Sequence, residues 1–197
     1  YQLESPSRFA KSDSVSQQTI PKVTKQLREH LRCISFLDPR PSAMRDYSYV
    51  KDNELKENGS NLSSVLYKIC QQGAEREEQL LNFVRFLPEQ NIAGIDFIVT
   101  ERKDVMVRLR ESFGNVEGFI DAPLLSDGTL RVLAIAALLM TAPEGAFVVI
   151  EEIDNGVHPS RADGIVKQIQ KISEQRNLRV LVTTHNPAIL DALPDQA

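Results

Sequence analysis

Phe147-Val148-Val149-Ile150-Glu151-Glu152 is an unbroken apolar run that ends in two adjacent carboxylates. A segment apolar on both faces is written for a strand covered on both sides, as in parallel sheets clothed by helices. With Ala146 in front of it, the run reads as a strand over Ala146–Ile150. A second buried run, Val180 to Thr183, follows and passes into Thr184-His185-Asn186-Pro187. Between the two, Arg161 to Arg176 is amphipathic, with Ile165, Ile169 and Ile172 on one face and Ser160 available as its cap. Two apolar β-runs joined by a helix favour a right-handed crossover, and so parallel neighbours. Upstream, Leu130 to Met140 is apolar nearly all round and reads as a helix buried on every side. Pro187 to Leu193 reads as a short closing helix. Helix, strand, helix, strand, helix predicts an α/β fold with a parallel sheet core.

The earlier part of the chain is less regular. Residues 1–20 are polar and irregular and read as a loop or as the remnant of an upstream lobe. From Pro21 to Leu31, the four-residue spacing of Val23, Leu27 and Leu31 predicts an amphipathic helix with Pro21 in its first turn. Asp38-Pro39-Arg40-Pro41-Ser42 is turn chemistry. Asn58-Gly59-Ser60-Asn61 is a second break, where Asn61 is placed to cap a helix that buries Leu62, Val65, Leu66 and Ile69. A further helix is expected from Ala74 to Leu87, with Leu80, Leu81 and Val84 inward and Pro88 as its stop. The period then changes to two. Ile92–Thr100 and Asp104–Arg110 read as strands, the latter with Val105, Val107 and Leu109 on one face, and Phe113 to Phe119 as a turn or hairpin end.

Composition bounds the answer. The 197 residues are 42% apolar and 25% charged with a net charge of −4, which excludes collagen, a coiled-coil rod and a wholly disordered chain, and gives no global basic field. The longest apolar run, Val132 to Met140, is too short to span a bilayer, and no signal peptide is visible. Two cysteines, Cys33 and Cys70, make neither a disulfide framework nor a metal cluster, so the expected setting is a reducing cytoplasm with no membrane partner. The chain opens at Tyr1 without an initiator Met, and the expectation is that it is a piece of a longer protein.

Three stretches carry the chemistry. Glu151 and Glu152 stand at the carboxyl end of a buried parallel strand, where open α/β sheets place their ligands. One acid suffices for a hydrated Mg²⁺ beside phosphates while the other polarises a water; the plain alternative is two solvated acids. His185 ends the neighbouring strand, in reach of a terminal phosphate or attacking water, although a lone histidine is more often an ordinary surface residue. Leu125-Ser126-Asp127-Gly128-Thr129 stands directly before the buried helix, where free N–H groups and the helix dipole make an anion site. The competing reading of this stretch is a simple helix cap. Separately, Arg102, Lys103, Arg108 and Arg110 form the densest basic cluster, either a solvated strand face or a contact for DNA phosphates.

In this order the motifs resemble the ABC-type ATPase fold, in its cytosolic branch with RecF, Rad50, SMC and OLD-like ATPases. Leu125 to Thr129 resembles the signature, with Asp127 and Thr129 in place of the usual Gly and Gln. Phe147 to Glu152 resembles Walker B, and Asp154-Asn155-Gly156-Val157-His158-Pro159 the "NGLHP" form of the D-loop. The resemblance covers residues 124–193 most specifically. Met44-Arg45-Asp46-Tyr47 and Gly59-Ser60-Asn61-Leu62 resemble the lead-in to the helical lobe of the same ATPases. It implies a partial P-loop NTPase head: a helical lobe and hairpin insertion over 1–123, and the signature-to-switch core over 124–197. No G-x-x-x-x-G-K-[ST] occurs in the sequence, and the resemblance places that P-loop upstream of Tyr1.

By the same resemblance, Glu151 holds Mg²⁺, Glu152 and His185 are catalytic, and Ser126, Asp127, Gly128, Thr129, Asn155 and His158 contact ATP, the signature acting on the nucleotide of a second head. The implied output is ATP-controlled dimerisation that drives a nuclease or DNA-processing partner, with DNA itself a candidate ligand, in antiphage defence or DNA repair. Two alternatives stand beside it: the ATPase subunit of a membrane transporter, which the Asn155–Pro159 sequence disfavours, and a degenerate head that binds nucleotide without turnover. A two-metal nuclease ranks last for want of further carboxylates.

Overall fold

The computed structural model describes residues 14–85, 92–113, 116–156, 158, 162–191 and 193. It divides into two units, residues 1–34 and residues 35–197. The first carries α1 (Ser14–Arg32), which has Pro21 in its interior. The helix thus begins seven residues before the predicted start, and the expectation of a loop over 1–20 is corrected for residues 14–20. Their Ser- and Gln-rich sequence has too few apolar residues to show a period, although nothing in it forbids a helix. Val23, Leu27 and Leu31 are each 53% exposed.

At the boundary lies β1 (Ile34–Leu37), followed by α2 (Pro41–Met44) and β2 (Ser48–Tyr49). The proline-rich turn expected over 38–42 therefore gives way to a one-turn helix, with Pro41 at the first position where its missing N–H costs nothing. Next come α3 (Leu62–Cys70), α4 (Ala74–Val84), β3 (Ile92–Val99), β4 (Asp104–Phe113) and β5 (Val116–Asp121). After a 3₁₀ turn over Ala122–Leu124 follow α5 (Asp127–Thr141), β6 (Phe147–Ile150), α6 (Ala162–Gln175), β7 (Arg179–Val182) and α7 (Pro187–Asp191). The expected turn or hairpin end over 113–119 is a hairpin end whose second strand starts earlier than expected, because Val116 to Asp121 pairs antiparallel with β4. Asn61 stands at the start of α3 but does not cap it. Its amide accepts the Lys56 N–H and donates to the Glu54 carbonyl, holding the preceding loop instead. Pro88 and Ser160, the expected stop and cap, lie outside the described residues.

Two sheets result. One has the order β1-β6-β7 and the other β2-β4-β3, with β5 added on β4. β6 and β7 are parallel neighbours, as two apolar runs with a helical crossover require. α5 packs on α3, α4 and α6, and α3 on β4. Every residue of α5 from Gly128 to Met140 except Arg131 is buried, which explains a sequence with no polar face. One continuous core runs from Leu37 through Phe83, Leu109 and Leu133 to Ile189.

A charged group sits in this core. Glu111 on β4 is 1% exposed, and its Oε1 has no hydrogen-bond partner among the described residues. Burial holds its carboxyl above the ordinary value of 4.5. The native state then binds more protons than the unfolded chain over the pH range just above 4.5, so stability falls as pH rises through that range. Glu111→Gln should gain melting temperature relative to the parent between pH 4.5 and neutrality and lose the gain below it. Thermal unfolding at a series of pH values checks this, and parallel curves for the two proteins would exclude a buried, unpaired carboxyl.

Candidate functional site

The register of β6 on β7, Phe147 opposite Arg179 through Ile150 opposite Val182, brings the acids after β6 against the polar residues after β7. Thr183 is the joint between them. Its N–H donates to the Ile150 carbonyl at 3.0 Å and its carbonyl accepts the Ile153 N–H at 3.1 Å. Its Oγ1 accepts the Glu152 N–H at 2.9 Å. One residue thus continues the ladder and turns the chain out of the sheet.

The two acids consequently have different surroundings. The Glu151 N–H donates to the Leu37 carbonyl of β1 at 2.9 Å. Its side chain is half-buried and makes no hydrogen bond or ion pair with a described residue. Glu152 is exposed and has a φ of +48°, a left-handed conformation that costs a non-glycine residue about 1–3 kcal/mol unless its surroundings impose it. Here they do. Thr183 Oγ1 takes its N–H, the Asn155 N–H donates to its carbonyl at 3.0 Å, and Asn155 Nδ2 donates to Glu152 Oε2 at 2.8 Å. Asn155 therefore orients the carboxylate.

His185 is fixed through its backbone. Asp154 Oδ1 accepts the Thr184 hydroxyl at 2.6 Å and the His185 N–H at 3.3 Å, leaving the exposed ring at the end of β7. Thr184 Oγ1 in turn accepts the Asn186 N–H, and Asn186 Oδ1 the Ala188 N–H, which starts α7. Thr183 was given no role from the sequence, and Asp154 was quoted only as the start of the D-loop-like stretch, without its hold on Thr184 and His185. Once the strands are known to be parallel, the position of Thr183, the first residue after β7, was the signal.

The loop before α5 is built as a cap. Ser126 Oγ accepts the Thr129 N–H at 3.1 Å and lies 2.8 Å from Thr129 Oγ1. Asp127 is exposed and ion-paired with Arg45. Gly128 is buried against the turn that follows Glu152: a Cβ there would lie 2.1 Å from the Gly156 carbonyl oxygen. Backbone contact, rather than backbone freedom, requires the glycine. The structure so brings Gly128 and the Asp127 backbone against Gly156, four residues beyond Glu152. His158 is exposed, while Val157 and Pro159 lie outside the described residues.

The basic residues of the hairpin are spread out. Arg102 and Lys103 sit in the exposed turn between β3 and β4. Arg108 Nε and Nη2 both donate to Asp96 Oδ2, at 3.0 and 2.7 Å, and the guanidinium lies 4.2 Å from the centre of the Phe119 ring. Burial alone would raise the Asp96 carboxyl, but the Phe97 N–H and Arg108 together hold it below its ordinary value.

For a metal, Glu151 fits Mg²⁺ best, being a carboxylate at the sheet edge that no described residue occupies. Mg²⁺ needs one or two such groups beside phosphate and water. Among the described residues no three His, Cys, Asp or Glu side chains converge.

The parallel strands with their helical crossover make this an α/β fold, and the family match over most of the chain makes it an AAA-type domain. Within that class the chain belongs to the family described as "AAA domain, putative AbiEii toxin, Type IV TA system", which it matches over residues 15–191. It is 36% identical over 62 residues to "Energy-coupling factor transporter ATP-binding protein EcfA2" of Spiroplasma kunkelii, covering 32% of this chain and 20% of that protein. Among solved structures it is similar to the SMC head domain of Thermotoga maritima, at 20% identity and a TM-score of 0.40, covering 64% of this chain and 44% of that one. It is also similar to the Pyrococcus furiosus Smc head domain bound to the C-terminal domain of ScpA, at 16% identity and a TM-score of 0.40, covering 59% and 29%. The chain thus spans a fifth of the curated relative and less than half of these structures. Among the described residues, no helix is long and apolar enough to cross a membrane.

The Gly128–Gly156 contact is directly testable. Gly128→Ala should cost about 1–3 kcal/mol in denaturant unfolding, the usual range for overpacking. It should also speed amide exchange on both sides of the contact, at 128–130 and 153–155. Parent-like exchange would mean the two backbones do not touch in solution.

Proposed function

We propose that the chain is the signature-to-switch part of an ATP-hydrolysing ABC-like head. The observation that carries this reading is the enforced left-handed conformation of Glu152, held by Thr183 and Asn155 at the end of β6. Backbone strain imposed from several sides is found where a side chain must be aimed. Mg²⁺·ATP supplies the phosphoryl group and the metal that neutralises its developing charge. Glu151 would hold the metal, directly or through water. Glu152 takes the proton of the attacking water or orients it, with its carboxylate aimed by Asn155 and its backbone by Thr183. The His185 ring and His158 would contact the phosphates, and Asn155 borders the same edge through Glu152. Ser126, Asp127, Gly128 and Thr129 serve the nucleotide of a second copy, so self-association is part of the cycle.

The output of such a cycle would be control of a nuclease or DNA-processing partner in the cytoplasm. The toxin–antitoxin system in the family's description supports an antiphage setting over repair. The 62-residue likeness to a transporter ATPase supports a second reading, as the motor of a permease. A permease gene beside the full gene would favour it, and a nuclease gene the first.

Glu152→Gln keeps shape and hydrogen bonding but removes the charge that activates water. Turnover of the full-length protein should fall by about two to four orders of magnitude, the usual worth of a general base. ATP binding should persist, and trapped nucleotide should raise the dimer fraction. Glu151→Gln should instead weaken nucleotide binding and its Mg²⁺ dependence. Comparing ATPase rates and nucleotide titrations decides, and parent-like turnover in Glu152→Gln refutes the assignment. If Arg102, Lys103 and Arg110 contact duplex DNA, log affinity should fall against log salt with a slope of about −0.9 per phosphate contact. Affinity indifferent to salt would remove DNA from the reading.

A further inference from the structure

The densest polar convergence outside the acid edge is on Arg45, the residue that ends α2. Its Nη1 donates to the carbonyls of Leu125 at 2.7 Å, Pro123 at 2.8 Å and Ala122 at 3.3 Å. Its Nη2 donates to Asp127 Oδ1. One guanidinium therefore serves four acceptors spread over the six residues that lead into α5. Only arginine has a rigid fork of five donors able to do this; an ammonium offers three donors from a single point.

Two features show what this arrangement is for. The first is its place in the chain. Leu37, whose carbonyl takes the Glu151 N–H, stands eight residues before Arg45, so the same short segment touches the acid edge and the loop before α5. The second is charge. Asp127 lies in the first turn of α5 beside Ser126 and Gly128, where a bare carboxylate suits the helix dipole but repels an incoming phosphate. An ion pair this exposed contributes little to stability, so fold stability does not account for it. Its effect is to remove a negative charge from the mouth of an N–H cluster.

Resting on the ATPase reading above, we propose that Arg45 is a positioning residue that shapes the 122–127 loop and neutralises Asp127, so that this loop can receive the terminal phosphates of a nucleotide held by a second copy of the chain. The two duties separate by substitution. In the full-length protein without nucleotide, Arg45→Met and Arg45→Lys should both speed exchange of the Leu125 and Thr129 amides, since neither side chain can serve four acceptors. With ATP, Arg45→Met should weaken self-association about tenfold, the worth of one charged hydrogen bond, whereas Arg45→Lys, which keeps a cation beside Asp127, should retain most of it. Asp127→Asn added to Arg45→Met should restore association but not amide protection, a rescue that a merely structural arginine would not give.

Parent-like exchange in Arg45→Met overturns the shaping role. Failure of Asp127→Asn to rescue overturns the charge role. Absence of ATP-driven association in the parent overturns the ATPase reading and the charge role with it, while the exchange experiment still decides the shaping role by itself.

Discussion

The site depends on the parallel ladder between β6 and β7 being carried one residue beyond the strands. Thr183 donates to Ile150, accepts from Ile153 and, through its hydroxyl, accepts from Glu152. A valine would fit the same apolar ladder and continue it equally well. The hydroxyl converts a strand end into a fixed corner, because it satisfies an N–H that the turning backbone would otherwise leave unpaired. Everything downstream on β6 follows from that corner: the left-handed Glu152, the return of Asn155 onto its carboxylate, and Asp154 reaching across to Thr184 and His185. The apolar core beneath supplies rigidity. α5 is buried on nearly all sides among α3, α4 and α6, which fixes the loop at its start.

Much of this was legible in the sequence because burial leaves an unambiguous signature. Phe147–Ile150 and Val180–Val182 are apolar without interruption, Leu130–Met140 is broken only by Arg131, and Ile165, Ile169 and Ile172 keep a helical period, so element type and order follow from hydrophobicity and the parallel pairing from the helical crossover. The acids and the histidine follow in turn, since a strand that must be apolar cannot hide a polar end. The resemblance to ABC-type ATPases rests on the same stretches and agrees with the family to which the chain belongs.

Other features were not legible, for reasons that differ from one to the next. α1 extends back over a Ser- and Gln-rich run that has no period to read. α2 and β2 are too short for a period to exist. β5 was hidden by glycines, which in a strand edge look like a turn. The pairing of Arg45 with Asp127 joins residues 82 positions apart, and no local pattern carries such information. Ser126 illustrates a subtler limit. The cap and the anion site use the same residues, and the sequence cannot choose between them because both begin with free N–H groups at a helix start.

That overlap has an energetic consequence for selectivity. In the free loop the Thr129 N–H is already satisfied by Ser126 Oγ, so an anion arriving there exchanges one acceptor for another. A helix cap is worth about 1 kcal/mol, which sets the threshold an incoming ligand must exceed. A chloride or an isolated carboxylate recovers little more than it displaces. A multiply charged phosphate, fixed by contacts elsewhere, clears the threshold readily. If the loop receives a nucleotide phosphate as proposed, the cap sets the threshold that favours such a ligand over a simple anion.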